Sequence, residues 1–130
     1  MSWKTAYRSI YYQGAPEPDD MDLKPAQTAL LVIDVQNTYL ERPDRSGLSG
    51  AELASYDAWT PFHDRMNTQV IPRTAALLAD CRKAGMECIF ARIATYTLDG
   101  RERSLSQKMP GWNNLLLPKD QHPSQLVPEL

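Results

Sequence analysis

Asp34 is the first residue of this chain whose type and position could do chemistry. It stands in TALLVIDVQNTYL, residues 28–40, where an apolar run gives way to one carboxylate and a polar burst. A carboxylate at the end of such a run can orient a cation or take a proton from a reacting group. It can equally cap the turn that follows, since Asp readily bonds nearby backbone N–H groups. Local physics leaves both roles open. Asn37 and Tyr39 follow at once and could hydrogen-bond a polar substrate. Asn37 is as well suited to making the turn, and Tyr39 to packing over it. Arg92 could grip a substrate carboxylate in a bidentate fork or pair with a carboxylate of the protein. Tyr96 and Gln107 are further candidates on the segment after it.

The other reactive residue types offer less. Cys81 and Cys88 lie seven apart, without CxxC spacing and without neighbouring histidines, so a zinc site is not expected. Both read as small buried residues. His63 and His122 stand alone; each is expected at the surface or hydrogen-bonded rather than as a metal ligand, since ligation needs several convergent donors. No metal or cofactor is expected. Lys108 and Lys119 sit in polar stretches and read as solvated, as does the charged run RERSLSQK.

The 130 residues are one domain's worth of chain, 42% hydrophobic and 23% charged, which favours a globular fold over disorder. A net charge of -2 gives no electrostatic case for nucleic acid or an anionic membrane. No basic segment precedes an apolar h-region, and no apolar stretch nears the ~20 residues that span a bilayer. The expectation is a soluble, cytoplasmic protein with reduced thiols.

The elements that must position these residues follow from pattern. Residues 1–27 form an irregular arm in which Trp3, Tyr7, Ile10, Tyr11 and Tyr12 mix with a Pro/Asp turn cluster. Large aromatics seldom stay in water, so the arm should pack on its own domain or on another subunit. Ala29 to Val35 is a short apolar run rich in β-branched residues, and predicts a strand buried on both faces. QNTYLERPDRSGLSG reads as a loop. From about Asp57 to Ala84 the pattern turns helical, with an apolar stripe through Val70, Ala75, Leu77, Leu78 and Cys81. Pro72 suits a helix start, and Lys83 with Gly85 supplies a helix end. Met86 to Ala94 reads as a second strand, which completes a βαβ unit. The rest is polar and punctuated by Pro and Gly, with Trp112 expected to anchor it.

In open parallel α/β sheets ligand sites form beyond the carboxyl ends of the strands, which is where this pattern places Asp34. At this point the chain resembles a known family. ALLVIDVQNTYL is similar to the first motif of the isochorismatase-like cysteine hydrolases, VIPRTAALLADCRKAGMECIFAR to their first crossover helix and second strand, and HPSQLVPEL to the segment before their third strand. The likeness covers roughly residues 24–130. It implies a Rossmann-like parallel sheet and an Asp-Lys-Cys triad that hydrolyses a C–N bond through a cysteinyl intermediate. Asp34 matches the family's aspartate, the base that takes up the thiol proton. The family's lysine follows the PEL segment and its cysteine comes later still, so neither has a counterpart in these residues. The Asp-x-His metal motif of nicotinamidases has no match in ARIATYTLDG. The metal-free branch, which includes ureidoacrylate, biuret and N-carbamoylsarcosine amidohydrolases, is the nearer one.

The resulting expectations are an arm over 1–27 and, over 28–130, the N-terminal portion of an isochorismatase-like α/β domain, incomplete at Leu130. The substrate is expected to be a small amide or ureido compound. A C-terminal fragment or second chain is expected to complete the fold, and the assembly to be a homo-oligomer. The alternative is a non-catalytic interaction subunit, or pseudoenzyme, that keeps half of the fold. It rests on the exposed edge such a partial sheet would present.

Overall fold

A computed structural model of the chain describes residues 4–109 and 116–130. Its centre is a parallel pair of strands, β1 (Ala29–Ile33) and β2 (Glu87–Ala91), in the register Leu31↔Ile89 and Ile33↔Ala91. Both strands are shorter than the sequence pattern predicts. β1 ends because Asp34 takes a left-handed backbone conformation, φ 57°, which turns the chain out of the sheet while its N–H still reaches the Ala91 carbonyl at 2.9 Å.

The crossover is one long helical stretch. After a short helix α1 (Asn37–Leu40) and a 3₁₀ turn at Arg45–Gly47, helix α2 runs over Gly50–Arg65. A π-helical turn at Met66–Val70 joins it to α3 (Ile71–Lys83). The helix therefore starts seven residues before the expected Asp57 and runs through Pro61. The wide turn directly precedes Pro72, whose ring excludes the carbonyl four residues back and leaves it without a donor. α3 ends as the sequence predicts. Gly85 adopts φ 73°, its N–H reaches the Arg82 carbonyl, and the Met86 N–H reaches that of Cys81 at 2.9 Å. This paired arrangement closes a helix on a glycine.

The apolar core is small: Val32, Ile71, Leu78, Cys81, Leu117 and Val127. α3 lies against β2. The expectation that β1 is buried on both faces is not met. Val32 is buried, but Leu31 and Ile33 point the other way and are 51% and 58% exposed, and Ile89 beside them is exposed too. Side chains alternate across a strand, and among the described residues only one face of this pair is covered.

The C-terminal segment is sewn to the strand ends. Val127 N–H donates to the Val35 carbonyl and Asn37 N–H to the Gln125 carbonyl, while Thr95 pairs with Pro118. Residues in the stretch read as a loop also form α4 (Leu105–Lys108), which Ser104 and Gln107 close with a reciprocal capping box.

The arm differs from the first expectation. Arg8 gathers the carbonyls of Tyr12, Ala15 and Pro16, and Lys4 pairs with Asp20, so residues 4–20 fold on themselves. Tyr7, at 97% exposure, and Ile10, Tyr11 and Tyr12 stand in solvent rather than on the domain. Trp3 and the expected anchor Trp112 lie outside the described residues. No helix among the described residues is long and apolar enough to cross a membrane.

Candidate functional site

The turn at Asp34 begins the site. A left-handed conformation is uncommon outside glycine, and Asp tolerates it better than most residues. The Asp34 carbonyl accepts from the Gln36 N–H at 2.9 Å, which tightens the exit from the strand. The side chain is thereby placed at the sheet's carboxyl rim. It is half-buried, and among the described residues its carboxylate accepts no hydrogen bond. The cap role left open by the sequence is not the one this side chain takes.

Asp34 lines a cavity of about 750 Å³. Trp59, Phe62 and His63 of α2, Met66 of the π-helical turn, and Tyr39 and Leu40 of α1 complete the lining. Trp59 and Phe62 meet edge to face, with ring centroids 5.6 Å apart. Burial and then the negative charge of Asp34 push the Tyr39 phenol above its ordinary range, so Tyr39 stays a hydrogen-bond donor.

The loop is held in place from behind. Gln36 is fully buried, and its Nε2 donates to the carbonyls of Ile93 (2.8 Å) and Ser124 (2.9 Å) while its Oε1 accepts from the Ile93 N–H (2.8 Å). One side chain thus ties the exit of β1, the exit of β2 and the C-terminal segment together.

The other sequence candidates are distributed around this centre. Asn37 is buried and its amide faces His122, at 3.0 Å from the carbonyl and 3.3 Å from Nδ1, away from the Asp34 cavity. His122 Nε2 also meets the Glu41 carboxylate. Arg92 donates to the carbonyls of Lys119 (3.1 Å) and Ser124 (2.8 Å), and among the described residues it pairs with no protein carboxylate. Arg92 and Tyr96 line a separate pocket of about 220 Å³ with Lys119. Gln107 is engaged in capping α4, yet it shares a small cavity of about 40 Å³ with Tyr39. The structure therefore brings Asp34 together with Tyr39, and Tyr39 with Gln107, while Arg92 and Tyr96 form a group of their own.

His63 is the residue that sequence reasoning missed. It is 9% exposed rather than at the surface, and among the described residues it makes no hydrogen bond and its sealed Nδ1 has no partner. The signal was there in the spacing of Trp59, Phe62, His63 and Met66, which places all four on one face of a helix. A second cavity of about 550 Å³ adjoins, sharing Glu41, Trp59 and His63 and adding Arg42 and Tyr56. Arg42 stacks on the Tyr56 ring at 3.3 Å and bonds Thr60, and Arg45 grips Asp57 through two 3.0 Å bonds. These pairs clamp the loop after α1 onto α2.

Both cysteines are free, Cys81 buried and Cys88 half-buried. Neither they nor Lys108 or Lys119 line the Asp34 cavity. Among the described residues no three His, Cys, Asp or Glu side chains converge as metal ligands. In a comparison with protein families, residues 28–130 match the Isochorismatase domain.

Proposed function

The chain belongs to the isochorismatase family of hydrolases, and from that premise we propose that it contributes the acid–base side chain of a cysteine amidohydrolase acting on a small amide or ureido compound. One observation carries this reading: the Asp34 carboxylate is unpartnered among the described residues and lines a large, mainly apolar cavity. A structural carboxylate would be expected to bond the local backbone.

In the proposed reaction Asp34 takes the proton of a cysteine thiol, and the thiolate attacks the amide carbonyl carbon. The C–N bond breaks, and the proton passes from Asp34 to the departing nitrogen. Water then cleaves the acyl-thioester, returning its proton by way of Asp34. A nearby lysine steadies the charges of Asp34 and the oxyanion. Tyr39, kept protonated, donates to the substrate or to Asp34. Asn37 and Arg92 position the site through the C-terminal segment, Gln107 borders it beside Tyr39, and Tyr96 offers a substrate contact in the separate pocket it shares with Arg92.

The cysteine and lysine are supplied by a further segment or a second chain that packs on the bare face of Leu31, Ile33 and Ile89. The arm, with Tyr7, Ile10 and Tyr11 in solvent, serves contacts between copies in a homo-oligomer. The same bare sheet face favours a second reading, a non-catalytic interaction subunit. Hydrolysis of biuret and N-carbamoylsarcosine by the assembled protein separates the two. Turnover that is blocked by thiol alkylation and lost in Asp34→Asn supports the enzyme. No turnover across a broad amide panel, with any partner chain, supports the interaction subunit.

A further inference from the structure

Resting on the amidohydrolase reading, we propose that His63 is a specificity-determining residue, whose Nε2–H donates a hydrogen bond to an acceptor oxygen of the substrate remote from the scissile amide.

His63 sits in the last turn of α2, on the wall shared by the Asp34 cavity and its 550 Å³ neighbour. Its ring and that of Phe62 stand edge to face with centroids 5.2 Å apart, and among the described residues it makes no hydrogen bond. Packing alone gives no reason for an imidazole here. A phenyl or isobutyl group would fill the space without burying a nitrogen that has no partner, and such orphaned groups are rare in folded proteins.

The orphan also fixes which nitrogen carries the proton. A buried N–H without an acceptor is rarer than an under-used lone pair, so a singly protonated ring keeps Nδ1 bare and puts its hydrogen on Nε2. Nδ1 is the sealed atom. Nε2 is not among the sealed unpartnered atoms, and the ring lines both cavities, so Nε2 is the nitrogen assigned to the ligand. His63 therefore adds a buried donor to a lining that also holds Asp34, an acceptor when ionised, and the Tyr39 hydroxyl.

A ligand that suits this arrangement is flat and small, with its scissile amide toward Asp34 and a second acceptor oxygen toward His63. A second amide carbonyl and a carboxylate both meet that description. A pocket built around a buried donor discriminates strongly against a compound that leaves the donor unpaired.

Calorimetric titration of the assembled enzyme with biuret, N-carbamoylsarcosine and methylurea, which lacks the second acceptor, tests this. His63→Phe is expected to weaken binding of the first two by about tenfold, the worth of one buried hydrogen bond, and to leave methylurea unchanged. His63→Gln, whose amide nitrogen overlays the lost donor, should restore most of the affinity. The melting temperature of His63→Phe should stay level or rise, because its change removes an orphaned group. Nitrogen NMR of His63 should show a protonated Nε2 that shifts when biuret is added. If His63→Phe binds biuret and N-carbamoylsarcosine as well as the parent, or if the ring proton lies on Nδ1, the inference fails while the amidohydrolase reading stands. If the parent enzyme neither binds nor hydrolyses any ureido probe, both fall together.

Discussion

Replacing Gln36 with Leu should unfasten the frame that holds Asp34. Gln36 is fully buried and makes three side-chain hydrogen bonds of 2.8–2.9 Å. Leucine fills nearly the same volume, so the loss is polar rather than a void. The Ser124 carbonyl would still accept from Arg92 at 2.8 Å. The Ile93 N–H and C=O would lose their partner. A buried group left unsatisfied costs about 1–3 kcal/mol, so two cost roughly 2–6 kcal/mol. Ile93 is itself exposed on one side, and water recovers part of this. The expected loss is therefore about 2–4 kcal/mol, a large share of the ~5–15 kcal/mol that holds a typical domain together. Gln36→Glu should be worse, since a carboxylate would face two carbonyls. Denaturant unfolding measures the loss, and hydrogen exchange at the Ile93 amide reports where it falls. A change below about 1 kcal/mol, with Ile93 still protected, would show that the network is not what fixes the loop.

Three other outcomes follow from the same geometry. Asp34→Asn should lower the Tyr39 titration towards its ordinary value of 10.0 without reaching it, because burial, the larger cause, remains; tyrosine-ring NMR reads this, and an unmoved Tyr39 would separate the two side chains. Glu102 is held down to about 2 by hydrogen bonds from the Thr97 hydroxyl and backbone N–H groups, and Asp99 to about 2 chiefly by Arg101. Folded values below the unfolded ones stabilise the turn at neutral pH, and that contribution is lost as pH falls from about 4.5 towards about 2. The Thr97 amide shift should follow this low midpoint, and a midpoint near the ordinary 4.5 would contradict it. Leu78→Ala, at a fully buried position on α3, should destabilise by about 2–5 kcal/mol in denaturant unfolding; a loss under about 1 kcal/mol would mean that α3 does not carry the core.

Much of the frame was legible in the residues. The apolar run before Asp34 and the glycine at 85 are local signals, and local physics decides strand type and helix ends. The limits were less legible, because Asp34 itself breaks the strand by its backbone conformation and Pro61 looks like a helix stop when read alone. Burial was misjudged at Leu31 and Ile33, since an apolar run reports the face a chain can bury and not whether a cover lies on it. The arm's aromatics do not pack on their own domain, the first of the two places expected for them. Among the candidate contacts, Asp34 and Tyr39 share one cavity because both follow the strand directly. The partners of Asn37 and Arg92 come from residues 119–125, far along the chain, and spacing carries no trace of them. His63 could have been found by extending the helical stripe back through Trp59, and was hidden by treating a single histidine as a lone residue.

The central claim is that the Asp34 carboxylate is the site's acid–base group. Asparagine keeps the left-handed backbone and the size of the side chain, so Asp34→Asn isolates the proton-transfer role. The measurement is kcat for ureido hydrolysis by the assembled enzyme, taken beside its melting temperature. A fall of about 10²–10⁴-fold in kcat with an unchanged melting temperature is the predicted result. An Asp34→Asn enzyme that turns over as fast as the parent would contradict the account.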